Sequence, residues 1–155
     1  MIEIKYLQQL RDNPNLSINI SPIQGWEEAQ IIELEEKYNN GQPFPLAFRE
    51  YLFLAGEYGG TGVVYEDWDD LREDCEEDIE YWGNKLERPF FVFDKLDSQY
   101  SIFFLDEDKE DPIVYIFNAS WNSNQQGKFL KRALTGSFSN LINEAIYRIK
   151  NDIPF

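Results

Sequence analysis

The sequence contains no histidine. That absence removes histidine-based triads, most zinc sites and the commonest general base. There is one cysteine, Cys75, so no disulfide can form within the chain. Bases are scarce: 14 Lys and Arg stand against 29 Asp and Glu, a formal net charge of −15. Such a chain repels nucleic-acid phosphates and anionic membrane surfaces, which bind proteins through Lys and Arg. Long apolar runs are missing too. The longest, Ile102–Leu105 and Ile113–Phe117, have strand length, well short of the roughly 20 residues of a membrane-crossing helix. Met1–Lys5 shows no basic leader before an apolar run, so no signal peptide is expected and the cytoplasm is the expected location. Gly59-Gly60-Thr61-Gly62 lacks the lysine of a phosphate loop.

Aromatics, by contrast, are plentiful: twelve Phe, nine Tyr and four Trp in 155 residues. Acidic chains that stay disordered lack such residues, so a folded core is expected. The length fits one domain, large enough to need no disulfide or metal.

Periodicity then divides the chain. Ile2–Leu10 predicts a short first helix, broken by Asn13-Pro14-Asn15. Trp26–Asn39 predicts a second, with Ile31, Leu34 and Tyr38 on one face and Gly41 beyond its end. Pro45 suits the first position of a third, in which Phe48, Tyr51, Leu52 and Ala55 recur at i, i+3, i+4 and i+7. Strands are predicted at Gly62–Tyr65, Phe90–Phe93, Tyr100–Leu105 and Ile113–Phe117, the last two forming a hairpin around an acidic turn. Asn118–Lys128 reads as loop. Ser139–Lys150 predicts a final helix with Phe138, Leu141, Ala145 and Ile149 on one face. Helices, then strands, then a closing helix indicate a single α+β domain: a mainly antiparallel sheet with helices packed against it.

The acids concentrate in one segment. Glu66, Asp67, Asp69, Asp70, Glu73, Asp74, Glu76, Glu77, Asp78 and Glu80 are ten acids against one base, Arg72. The apolar residues of the segment are Trp68, Leu71, Cys75, Ile79 and Trp82. At about 100° per residue they fall in an arc of about 80°, which makes an amphipathic helix with acids around its exposed side. Asp69/Glu73, Asp70/Asp74, Glu73/Glu77, Asp74/Asp78 and Glu76/Glu80 are like-charge pairs at i, i+4. Each costs about 0.2–0.5 kcal/mol, roughly 1–2.5 kcal/mol together. Glu77, Asp78 and Glu80 also oppose the helix dipole. Arg72 reaches only Asp69 or Glu76. The plain reading is a solvated face kept for solubility. The functional reading makes these ten acids the partner-binding residues, a docking surface for Lys and Arg that relieves the repulsion. Tyr65, Trp68, Tyr81 and Trp82 are aromatic anchors if their rings reach the surface, but Trp68 and Trp82 lie on the apolar stripe and are expected in the core.

Catalytic chemistry is thin. Cys75 sits on the apolar stripe among acids, which suppresses the thiolate, so it reads as a buried structural residue. Asp106–Asp111 fails as an EF-hand loop, because Asp111 and Phe117 stand where Gly and Glu are required. No catalytic residue, metal or cofactor is expected. Among 29 acids, however, some pair always lies at a plausible catalytic separation, so a metal-dependent hydrolase using carboxylates stays open as an alternative.

One longer pattern carries a resemblance. Ile31-x-x-Leu34-Glu35-x-x-Tyr38, then Phe44-Pro45-x-x-Phe48-x-x-Tyr51-Leu52, then Gly59-Gly60, resembles the opening of the SUKH superfamily, which includes bacterial immunity proteins and fungal cell-wall-assembly (glucan-synthesis) regulators. Pro112-Ile113-Val114-Tyr115 and Gly136-Ser137-Phe138 are similar to its closing strand and helix. The resemblance covers roughly residues 25–150, with 68–88 poorly matched. Phe44 replaces the usual Leu before the proline, and Gly59-Gly60 replaces a frequent Asn-Gly. The resemblance implies a fold and a functional class but no binding residues: an immunity protein that neutralises a basic cognate toxin, often a nuclease. A non-catalytic regulatory adaptor, like the fungal members, is the alternative it carries.

Overall fold

The computed structural model describes residues 2–16, 21–64, 67–121 and 129–154. Five helices and four strands run in the order α1 (Gln8–Asp12), α2 (Glu28–Tyr38), α3 (Leu46–Ala55), α4 (Trp68–Tyr81), β1 (Phe90–Leu96), β2 (Gln99–Phe104), β3 (Ile113–Asn118), β4 (Leu130–Ser137) and α5 (Phe138–Lys150). The strands form one antiparallel sheet in the order β1-β2-β3-β4, and helices pack on it. This is the expected single α+β domain.

Strand alternation sends side chains to opposite faces, and the sheet uses both. Phe91, Phe93, Phe103 and Val114 point into a core closed by residues of α1, α2, α3 and α5. Phe90, Val92, Tyr100, Ile102, Phe104 and Phe117 point the other way, into a core closed by Leu71, Cys75 and Ile79 of α4. Phe48 is the hub of the first core. Its ring lies 4.9 Å from Phe91, 5.2 Å from Phe103 and 5.6 Å from Phe138, edge-on or tilted. Trp68 belongs to this first core, whereas the rest of the α4 stripe belongs to the second. Helix α4 therefore crosses the β1 edge of the sheet. Arg72 fastens it there, donating from Nη1 to the Phe90 carbonyl at 2.7 Å.

The predicted stripe of α3 is buried in full. Pro45 occupies its N-cap and Leu46 its first turn, one residue later than expected. In α5 the buried stripe is Phe138, Ile142, Ala145 and Ile146. Leu141 and Ile149 lie at its margins, half-buried.

Three expectations are corrected. The first helix begins at Gln8, not Ile2. The N–H groups of Lys5, Tyr6 and Leu7 are taken by the buried Glu50 carboxylate at 3.0, 2.8 and 3.0 Å, which holds this stretch out of a helix. Gly62–Val64 are bends, with Gly62 at φ +71°, and form no strand; Tyr65 lies outside the described residues. Leu130–Ser137 is an unpredicted edge strand. Of the expected loop at Asn118–Lys128, Asn118 closes β3, 119–121 form a turn, and 122–128 lie outside the described residues. The acidic turn between β2 and β3 is a structural hub. Asp106 pairs with Arg88 at 2.6 Å, and Glu110 pairs with Lys5 at 2.8 Å. Asp111 accepts from the Ser139 N–H at 2.9 Å and from its Oγ at 2.6 Å.

Candidate functional site: the acidic face of α4

Local chemistry fixes both ends of α4. Asp67 is the N-cap and accepts from the Asp70 N–H at 3.0 Å. At the other end Gly83, at φ +71°, lets the chain reverse: its N–H bonds to Glu80 O, and the Asn84 N–H bonds to Ile79 O, both at 3.0 Å. That is a Schellman closure, which needs a left-handed residue at this position. Asn84 is buried and donates from Nδ2 to Ala119 O at 2.5 Å, tying the helix end to the segment after β3.

Trp68, Leu71, Cys75 and Ile79 are buried, as the stripe requires. Trp82 is not: it is 54% exposed, and the neighbouring Tyr81 is 80% exposed. The helix ends at Tyr81, so Trp82 leaves the helical path before the stripe can carry it inward. The two rings pack edge to face, with centroids 5.3 Å apart, at the rim of the acidic face. Of the four candidate anchors, Trp68 is core, Tyr81 and Trp82 are on the surface, and Tyr65 lies outside the described residues.

The ten acids divide by angle around the helix. Glu66 lies outside the described residues. Asp67 is occupied as the cap. On one flank, Asp69 pairs with Lys37 of α2 at 2.6 Å and also accepts from the Tyr38 hydroxyl. Glu76 pairs with Arg72 at 2.7 Å. On the other flank, Asp74 lies 3.8 Å from Lys95 of β1, and Asp78 accepts from the Tyr100 hydroxyl at 2.5 Å. Asp70, Glu73, Glu77 and Glu80 remain. Their side chains make no hydrogen bond or ion pair among the described residues. At about 100° per residue these four fall within about 80° of arc, centred about 175° from the buried stripe. Tyr81 lies on the same crest.

The structure thus relieves more of the repulsion than Arg72 alone could. Arg72 takes Glu76 and not Asp69; Lys37 and Lys95 arrive from elements distant in sequence. The Asp69 carboxyl is held below its usual range by the hydrogen bond from Lys37 and then by that from Tyr38. The Tyr38 and Tyr100 hydroxyls are pushed up, first by burial and then by their carboxylate partners, so both stay protonated donors. Repulsion is left on the crest alone. No base stands in the last turn of α4 to offset Glu77 and Glu80 against the dipole.

Other sites offer little chemistry. The Cys75 thiol is fully buried and is pushed up to about 12, chiefly by that burial, which removes it as a nucleophile at neutral pH. Among the described residues no three acidic or thiol groups converge as metal ligands. No helix among them is long and apolar enough to cross a membrane. The largest cavity, about 600 Å³, lies away from the crest, between the α2–α3 connection and the β2–β3 turn. Its floor is Phe44 and Phe104. Its charged lining is mostly engaged: Arg49 with the buried Glu35 at 2.9 Å, Asp106 with Arg88, Glu110 with Lys5.

Comparison with known proteins adds no relative: no protein-family model matches the chain, and neither the curated proteins nor the solved structures contain a match.

Proposed function

We propose that this chain is a non-catalytic binding domain that neutralises a basic protein by covering it with the crest of α4. The observation that supports this most is the division of the acids. Flanking carboxylates are bound to the body of the domain, whereas Asp70, Glu73, Glu77 and Glu80 stand in one unpartnered row that ends in Tyr81 and Trp82. Exposed aromatics beside a charged rim have the composition of an interface hot spot. The row steers a Lys- and Arg-rich surface towards it and sets the register on contact. The resemblance of residues 25–150 to the SUKH immunity proteins supplies the biological reading: the basic partner is a cognate toxin, of nuclease type, and the mechanism is occlusion of its cationic groove. The expected compartment is the cytoplasm.

The test is capture with the full chain as bait in its native cell, alongside a D70K/E73K/E77K variant. The expected result is one basic nuclease-like protein at a one-to-one ratio, its activity blocked by the wild type. The variant should associate about 10–100-fold more slowly, with a weaker dependence on salt. Equal capture and equal inhibition by both proteins at every salt concentration would place the binding surface elsewhere. Capture of several unrelated signalling proteins would support the adaptor reading instead.

A further inference from the structure

The −15 charge is unevenly distributed. Residues 1–127 carry nine bases against 27 acids, a formal −18. Residues 128–155 carry five bases against two acids, a formal +3. The β4–α5 unit is thus a basic end on an acidic protein.

That end also exposes apolar surface. The β3–β4 ladder is interrupted: Tyr115 faces Arg132 and Ile113 faces Ser137, so four residues of β4 bulge against one of β3. Gly136, at φ +78°, closes the bulge. Leu134 stands on it, fully exposed. Beside it lies a hollow of about 440 Å³, lined by Val63, Leu134, Leu141 and Ala145 and by Glu144 and Arg148. Lys131 and Arg132 project from the adjoining edge, and neither makes an ion pair among the described residues. Exposed cations and a bulge are what keep an edge strand from pairing with another strand, so any contact here is made by side chains and not by sheet extension.

A complementary surface exists on the same chain. The C-terminal end of α4 presents unpaired Glu77 and Glu80 around the exposed Tyr81 and Trp82. One surface is an apolar hollow rimmed by cations; the other is an aromatic pair rimmed by anions. We infer that two copies of this chain associate head to tail, with the Tyr81–Trp82 end of one seated in the β4–α5 hollow of the next. Glu77 and Glu80 of one copy face Lys131 and Arg132 of the other. The contact is heterologous, so it builds an open chain or a ring, not a two-fold dimer. At physiological ionic strength, exposed charges more than about 8 Å apart are largely screened. Complementarity at the contact then outweighs the repulsion between net-negative copies. This inference stands without the toxin reading, although a basic partner on the α4 crest would compete with it.

The experiment is sedimentation of the purified full chain over a wide concentration range at physiological ionic strength. The expected result is a mass that rises with concentration above the 18.4 kDa of one chain. K131E/R132E gives a copy with two acidic ends, and E77K/E80K gives a copy with two basic ends. Each should stay monomeric alone, and an equimolar mixture of the two should associate again. Leu134→Ser should weaken association of the otherwise native chain by roughly tenfold. A native chain that stays monomeric throughout overturns the inference. So does either charge variant associating like the native chain, or a mixture that stays monomeric.

Discussion

Carboxylates play opposite parts on the two faces of the sheet. In the helical layer over the first core they are buried and saturated. Glu50 is fully buried, with three backbone N–H donors on one oxygen. Glu35 is 3% exposed and binds both Arg49 and the Phe44 N–H, the latter at 2.6 Å. On α4 the crest acids touch nothing but solvent, and the flank acids hold one or two partners each. The same residue type fixes chain path in one region and supplies bare charge in the other. The difference lies in what the backbone nearby lacks. The stretch before α1 has N–H groups with no ladder or helix to accept them, and a buried carboxylate is the acceptor they find. The α4 backbone is satisfied by its own helix and caps, so its acids are free for other work.

The contrast has a direct consequence: removing an acid should have opposite signs in the two regions. The largest expected effect is Glu50→Ala. It strips the acceptor from three neighbouring N–H groups and opens a cavity beside Leu7, so stability should fall by about 3–5 kcal/mol. Urea unfolding of the variant and the native chain measures this directly. A loss below about 0.5 kcal/mol would mean that residues 5–7 are held by their side chains and not by Glu50.

Asp94 is an intermediate case. It follows the β1 bulge opposite Ser101, and burial pushes its carboxyl up to about 6, opposed only by the Lys95 N–H. In the unfolded chain an aspartate titrates near 3.9. Folding therefore favours the protonated form. The stability this contributes is fully present below about pH 4 and is lost as pH rises to about 6. Asp94→Asn should accordingly stabilise the protein at pH 7 by about 1–3 kcal/mol and change little at pH 3.5. Denaturant midpoints at the two pH values test it; a destabilised variant at pH 7 would show that the carboxylate has a partner worth more than its desolvation.

Much of this contrast was legible in the sequence, and the exceptions share a cause. Helices α2 to α5 follow from apolar spacing, and β1 to β3 from short apolar runs, because each buries a face whose period survives in the residues. Leu130-Lys131-Arg132-Ala133-Leu134-Thr135 carries no such period. It is an edge strand with a bulge, half of it solvated, and pairing with β3 alone makes it a strand. The start of α1 is displaced by a carboxylate more than 40 positions away. The acidic crest of α4 could be placed by angle. Which acids on it stay unpaired could not, since Lys37 and Lys95 reach the helix only through tertiary structure. Trp82 was misplaced because a helical angle means nothing one residue past the helix end.

The smallest expected effect is the most discriminating. E73Q/E77Q/E80Q removes three like-charge pairs at i, i+4, namely Asp69/Glu73, Glu73/Glu77 and Glu76/Glu80, each costing about 0.2–0.5 kcal/mol. It also takes two negative charges from the C-terminal part of a helix that has no base in its last turn. Gln and Glu have similar helix propensity, so little is lost in exchange. The triple variant should be more stable than the native chain by about 1 kcal/mol, with the gain shrinking as salt is added. Three buried or capped acids removed from the other face would unfold the protein; three crest acids removed here should tighten it. A row of charges that costs stability, on a helix already held by its core stripe and its flanks, makes no contribution to the fold that retains it. If the triple variant instead loses stability, the crest acids are bound within the domain, and both the docking surface and the head-to-tail contact lose their free charge.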